Sequence, residues 1–183
     1  MKAVVLDMDE TLGAFTAFSN YVKQFSPVLV SSALFNQMLD QNPQYLRPGI
    51  LHVLGFLRDN RRLGRCQIVL YTNNQNPAWV KLVQHYLEAK VGFVFDAVIQ
   101  GWGHEKKRTS SGKCVADLFA CARLDKKTRL FFADDQFHPG MAAANVHYFQ
   151  ITPYFEPCPE AFPNTQALLR QMVHFLQQPE EIK

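Results

Sequence analysis

Cysteine is scarce in this chain, with four residues among 183: Cys66, Cys114, Cys121 and Cys158. None stands in C-x-x-C spacing or beside histidines in the manner of a zinc site, and a chain of this length can build a core without disulfide staples. Free thiols in a reducing compartment are expected. No apolar run approaches the ~20 residues of a membrane-spanning helix. No basic leader with a long apolar core precedes Asp7, so no signal peptide is expected. These absences point to a soluble intracellular protein, cytoplasmic or nuclear, with no membrane partner. A dominant charge is also missing, because 19 Lys and Arg against 16 Asp and Glu leave a formal charge of +3. The one dense basic cluster, Lys106-Lys107-Arg108, reads as a solvated loop, so nucleic acid is a possible partner but not the favoured one. Internal repeats and low-complexity tracts are absent, which argues against a solenoid.

What is present is the composition of a packed domain, 48% hydrophobic and only 19% charged, and its length suits a single domain over residues 1–183. Short apolar runs alternate with amphipathic segments. Strands are expected at residues 3–6, 67–71, 93–99, 129–133 and 146–151, each too short and too apolar for a surface helix. Helices are expected over residues 30–40, bracketed by Pro27 and Pro43; from Pro48, with Ile50, Val53, Leu54 and Leu57 as its stripe; from Pro77 to Lys90; after Lys113; and around Leu168, Met172 and Leu176. A short helix is also expected at Met141 to Ala144. Residues 13–46 would form a small helical flap, and residues 152–163, with four prolines, an irregular surface loop ahead of the last helix and a frayed tail. Alternating strands and helices predict an α/β fold, three layers with a mainly parallel central sheet.

The chemistry collects where strands stop. The first strand runs into Asp7-Met8-Asp9-Glu10-Thr11-Leu12, the second into Thr72-Asn73-Asn74, and the fourth into Asp134-Asp135. Open parallel sheets bind ligands beyond the carboxyl ends of their strands. If the chain stays extended, Asp7 and Asp9 share one side and Met8 turns away. Two such carboxylates repel each other unless a cation or a division of labour offsets the repulsion, which suggests a divalent metal or a nucleophile beside an acid. Any one of these residues could be an ordinary strand cap or turn former. Three apolar runs ending in carboxylates and hydroxyls on one edge is a pattern that core packing does not require. The fragment Ser111-Gly112-Lys113-Cys114 lacks the upstream glycine and following hydroxyl of a P-loop, which excludes a nucleoside triphosphatase of that type. The histidines, His104 and His138 included, are assigned nothing.

Asp7-Met8-Asp9-Glu10-Thr11-Leu12, Thr72, a lysine near a helix start and Asp134-Asp135 resemble the four motifs of the haloacid dehalogenase superfamily, the first matching D-x-D-x-T in full. The Asp-Glu-Thr-Leu form, Leu46-Arg47-Pro48-Gly49 with Phe56-Leu57, and Phe137-His138-Pro139 with Asn145 are similar to the branch of small carboxy-terminal-domain and NLI-interacting-factor-like phosphatases. The chain has Gln136-Phe137 where that branch commonly has Ser-Pro. The resemblance implies a Rossmann-like fold with a minimal cap and a Mg²⁺-dependent phosphomonoesterase. Asp7 would be the nucleophile, Asp9 the general acid and base, and Thr72 and Lys113 the residues that hold and neutralise the phosphoryl oxygens, with Lys113 preferred over Lys106 and Lys107. Met8, Thr11 and Asn73 would lie on the substrate side, with Thr11 also steadying the first-motif loop. Asp7, Asp134, the backbone carbonyl of Asp9 and, through water, Asp135 would hold the metal. A phosphoprotein substrate is slightly favoured. A small metabolite, a nucleotide or a polynucleotide end is the alternative, with Trp102 as a feature that could serve a base. A catalytically silent binding module on the same fold is the reading from another class.

Overall fold

The structure, a computed structural model, describes residues 1–25 and 30–179. Five strands form one sheet: β1 (Lys2–Leu6), β2 (Gln67–Tyr71), β3 (Ala97–Ile99), β4 (Arg129–Asp134) and β5 (Val146–Gln150). All pairings are parallel and the spatial order is β3-β2-β1-β4-β5. β1 is central and buried along its whole length, as expected of a strand covered on both faces. Its residues alternate between two cores. Val4 and Leu6 join Leu70 and Phe131 under α1 (Phe15–Phe25), α2 (Ser32–Gln41), α3 (Ile50–Arg62), α4 (Pro77–Val91) and α6 (Ala161–Gln177). Ala3 and Val5 join Val69 and Phe132 under α5 (Val115–Ala122) on the other face. The result is the expected three-layer α/β/α fold. No helix among the described residues is long and apolar enough to cross a membrane.

The helices follow from local sequence. Ile50, Val53, Leu54 and Leu57 of α3 are all buried, the i, i+3, i+4, i+7 stripe of a sheet-packed helix. α4 opens on Pro77 behind an Asn76 cap and stops at Gly92, whose φ of 75° is the left-handed cap that glycine adopts without strain.

Four boundaries differ from the sequence expectation. Residues 13–46 hold two helices, α1 and α2, together with a single 3-10 turn at Pro43–Tyr45. β3 covers only Ala97–Ile99, because Phe93 and Phe95 leave the ladder to pack edge to face, 4.8 Å between ring centroids. The segment at 141–144 is not a helix; a 3-10 turn at Pro139–Met141 takes in only its first residue. α6 begins two residues before Pro163, which the helix tolerates because a first-turn N–H has no intrahelical partner to lose. Pro27 and residues 180–183 of the expected tail lie outside the described residues.

Candidate active site

The strand order reverses between β1 and β4, and crevices at such switch points are where open parallel sheets bind ligands. Asp7 follows β1 directly and Asp134 ends β4, and the Asp7 N–H donates to the Ala133 carbonyl at 2.9 Å, so the two carboxylates leave adjacent strands side by side. Both are buried, at 6% and 1% exposure. The Lys113 ammonium lies between them. It donates to Asp7 Oδ1 and, at 2.6 Å, to Asp134 Oδ2. Lys113 sits just ahead of the Cys114 cap of α5 and is itself 3% exposed. Lys107, by contrast, reaches the Ala120 carbonyl at 3.3 Å on the surface, and Lys106 is exposed.

Past Asp7 the chain turns back on itself. Glu10 takes a left-handed φ of 57°, its N–H donating to the Gly13 carbonyl at 2.8 Å, and the Leu12 N–H donates to the Met8 carbonyl at 2.9 Å. Gly13 is required by crowding, since a Cβ there would meet the Tyr45 carbonyl oxygen at 2.5 Å. The turn is tied from two sides. The Thr11 hydroxyl donates to Asp135 Oδ1 at 3.2 Å and accepts from the Asp135 N–H at 3.1 Å. From below, Arg47 Nε donates to the Thr11 carbonyl at 2.6 Å, and its Nη2 donates to the Glu10 and Thr152 carbonyls, each at 2.7 Å.

The end of β2 forms the other wall. Thr72 is fully buried, its N–H donating to the Ile99 carbonyl at 3.0 Å and its hydroxyl accepting from the Asn74 N–H at 3.0 Å. Asn74 Nδ2 then donates to Asp9 Oδ2 at 3.0 Å, which leaves Asp9 Oδ1 with no hydrogen-bond partner among the described residues. Arg108 braces this wall from behind. It stacks on Tyr71, 4.9 Å from the ring centroid, and donates to the carbonyls of Thr72 at 3.0 Å, Gln100 at 2.7 Å and Ser111 at 3.0 Å, and to the Asn73 side chain. The basic cluster expected to be a solvated loop is therefore divided: Arg108 is buried because four acceptors from three chain segments compensate its desolvation.

These groups enclose a pocket of about 200 Å³, lined by five carboxylates (Asp7, Asp9, Glu10, Asp134, Asp135) and one lysine. Burial pushes the Asp7 carboxyl up to about 7; Lys113 opposes that rise and Asp134 reinforces it. Burial also raises Asp9, with the Asn74 hydrogen bond opposing, and raises Asp135, with the charge of Asp134 reinforcing. At Asp134 burial is outweighed by the His138 hydrogen bond and by the charge and hydrogen bond of Lys113, and its carboxyl is held below the usual range. One ammonium does not balance so many acids, and an anionic substrate would add to the excess. Carboxylate oxygens of Asp7, Asp134 and Asp135 lie within 4.8 Å of one another, a hard-oxygen set that fits Mg²⁺.

No protein-family model and no curated protein sequence matches the chain. Among solved structures, a HAD-superfamily hydrolase from Ehrlichia chaffeensis superimposes with a TM-score of 0.54, covering 94% of this chain and 99% of that one at 14% identity. The chain has the haloacid dehalogenase fold. On that fold, Asp7, Asp9, Thr72, Asn73, Lys113, Asp134 and Asp135 all line the one pocket, whereas Met8 and Thr11 do not. The Met8 side chain is buried in the core, so its backbone alone can face a substrate, and the Thr11 hydroxyl is taken up by Asp135. His138, to which the sequence assigned nothing, lines the pocket with Nε2 3.2 Å from Asp134 Oδ2. Asn74, Glu10, Thr16 and Gln136 also line the pocket without having been given a site role, and Asn74 is the one of these that holds Asp9. The place of Asn74 in the Thr72-Asn73-Asn74 run was the available signal for it, as Phe137-His138-Pro139 was for His138.

Proposed function

We propose that the protein is a Mg²⁺-dependent phosphomonoester hydrolase working through an aspartyl phosphate, with a phosphoprotein as the slightly favoured substrate. The observation that carries this reading is Lys113 held between two buried carboxylates at the switch point, beside a third acid with an uncommitted oxygen. In the first half-reaction an Asp7 oxygen attacks phosphorus and the bond from phosphorus to the leaving oxygen breaks. Asp9, whose protonated form burial favours, gives its proton to that oxygen. In the second, Asp9 takes a proton from water as the water oxygen attacks phosphorus, and cleavage of the bond from phosphorus to Asp7 releases phosphate and restores the enzyme. Lys113 and Thr72 stabilise charge on the phosphoryl oxygens. Asp7, Asp134 and the Asp9 carbonyl would hold Mg²⁺, with Asp135 acting through water, and the ion would neutralise the phosphoryl group on entry.

Hydrolysis of p-nitrophenyl phosphate is expected with Mg²⁺, to disappear in EDTA and to return when Mg²⁺ is restored; turnover that persists in chelator sinks the reading. Lys113→Met should lower kcat by about 10²- to 10³-fold, the usual cost of removing one charge-stabilising donor. Lys106→Ala should leave kcat within about twofold of the native value, as exposed substitutions away from a site generally do. Equal losses would mean that Lys113 has no special part in the reaction.

A further inference from the structure

A second cavity, about 310 Å³, opens beside the catalytic pocket and shares Thr16 and Asn74 with it. One wall belongs to α1, whose Thr16, Ser19, Asn20 and Lys23 recur at i, i+3, i+4, i+7, opposite the Phe15, Phe18 and Val22 stripe that enters the core. The other wall is Asn74, Gln75 and Asn76 with the buried Trp79, whose indole N–H has no acceptor among the described residues. The catalytic pocket is crowded with carboxylates, whereas this lining has hydroxyls, carboxamides and one ammonium and includes no carboxylate.

The chemistry of the lining narrows what could lie there. The catalytic pocket is smaller than the roughly 300 Å³ at which pockets begin to enclose a whole small-molecule ligand, so the remainder of a substrate continues outward. Thr16 and Lys23 are seven helical residues apart, roughly 10 Å at ~1.5 Å per residue. That is about three residues of extended peptide at ~3.3 Å each. Carboxamides both donate and accept, which matches the alternating groups of a peptide backbone. The two aromatic residues of the lining, Phe15 and Trp79, are buried and present no open face on which a nucleobase could stack.

We infer that this groove binds the leaving-group side of a phosphopeptide in extended conformation, with an acidic side chain two to four residues from the phosphorylated one pairing with Lys23. The inference rests on the phosphomonoesterase reading above. It is tested with phosphopeptides carrying Asp or Lys singly at each of those positions on either side, comparing the native enzyme with Lys23→Glu and Lys23→Arg. The native enzyme should prefer Asp at one position by about three- to fivefold in kcat/KM, the range of an exposed ion pair. Lys23→Arg should keep that preference and Lys23→Glu should invert it, while all three hydrolyse p-nitrophenyl phosphate alike. A flat profile, a preference that Lys23→Glu does not change, or better turnover of 5′-phosphorylated oligonucleotides than of every peptide overturns the assignment. Loss of aryl phosphate turnover in the native enzyme would instead remove the underlying reading.

Discussion

Asp7→Asn should reduce kcat on p-nitrophenyl phosphate by at least about 10⁴-fold while leaving the protein folded, the scale of loss seen when a nucleophile that acts as part of a unit is removed. A carboxamide keeps the shape of the side chain but cannot attack phosphorus or carry the negative charge a metal requires. The stability control runs in the opposite direction from the activity. Burial makes an ionised Asp7 unfavourable, which is why its carboxyl sits at about 7, so the neutral amide relieves a cost in the metal-free protein. Thermal unfolding without metal should therefore occur at an equal or higher temperature than in the native protein. Native enzyme quenched in acid during turnover should carry a hydroxylamine-sensitive phosphoryl group, and Asp7→Asn none. A variant that retains more than about one part in 10² of the native kcat would show that Asp7 is not the attacking group, since even a single lost donor costs that much.

The division of labour proposed for Asp7 and Asp9 fits their different surroundings. Asp7 is pinned by Lys113 against Asp134 and has little freedom to follow a departing group. Asp9 stands one turn of the loop later, anchored by Asn74 through one oxygen only. Burial without a cationic partner at hydrogen-bond distance favours its protonated form, which suits a donor to a leaving oxygen.

Much of this was legible because period and punctuation agree locally. α3 and α4 announce themselves through apolar stripes opened by Pro48 and Pro77, and the strand-end acids follow from β1 and β4 being continuous apolar runs. α1 was hidden because its stripe of Phe15, Phe18 and Val22 is interspersed with Thr16, Ser19 and Asn20, which have little helix propensity of their own. Lys113 could be placed by the order of motifs. Arg108 could not be distinguished from its neighbours, since the acceptors that bury it include Thr72 and Asn73, 36 and 35 positions away. For His138 the Phe137-His138-Pro139 run marked the position but not the partner, since the Asp134 carboxylate meets it only when the turn after β4 closes.

Arg47 carries the largest expected effect on stability, although in the sequence it stood only as one member of the Leu46-Arg47-Pro48-Gly49 run and was given no role of its own. Arg47 is 1% exposed and meets no carboxylate among the described residues; its partners are the carbonyls of Glu10, Thr11 and Thr152 and the face of Tyr154, 5.4 Å from the ring centroid. Burial pulls it down to about 10, with the charge of Asp135 the chief opposing influence, so it stays charged at neutral pH. Removing it in Arg47→Ala leaves a cavity and three carbonyls, that of Thr11 buried and the other two partly so, without these donors, a loss of about 3–5 kcal/mol by the usual cost of breaking a buried charged network. For a chain of this size that corresponds to a fall of roughly 10 °C in Tm. Arg47→Lys keeps a charge but not the fork that serves three carbonyls at once, and should recover only part of the loss. Because two of those carbonyls belong to the turn that carries Asp9, kcat should fall in Arg47→Lys even at temperatures where the protein is fully folded. Thermal unfolding of the three proteins, with kcat measured well below each Tm, separates the two effects. An Arg47→Ala protein as stable as the native one would show that the first-motif turn holds its shape without the clamp.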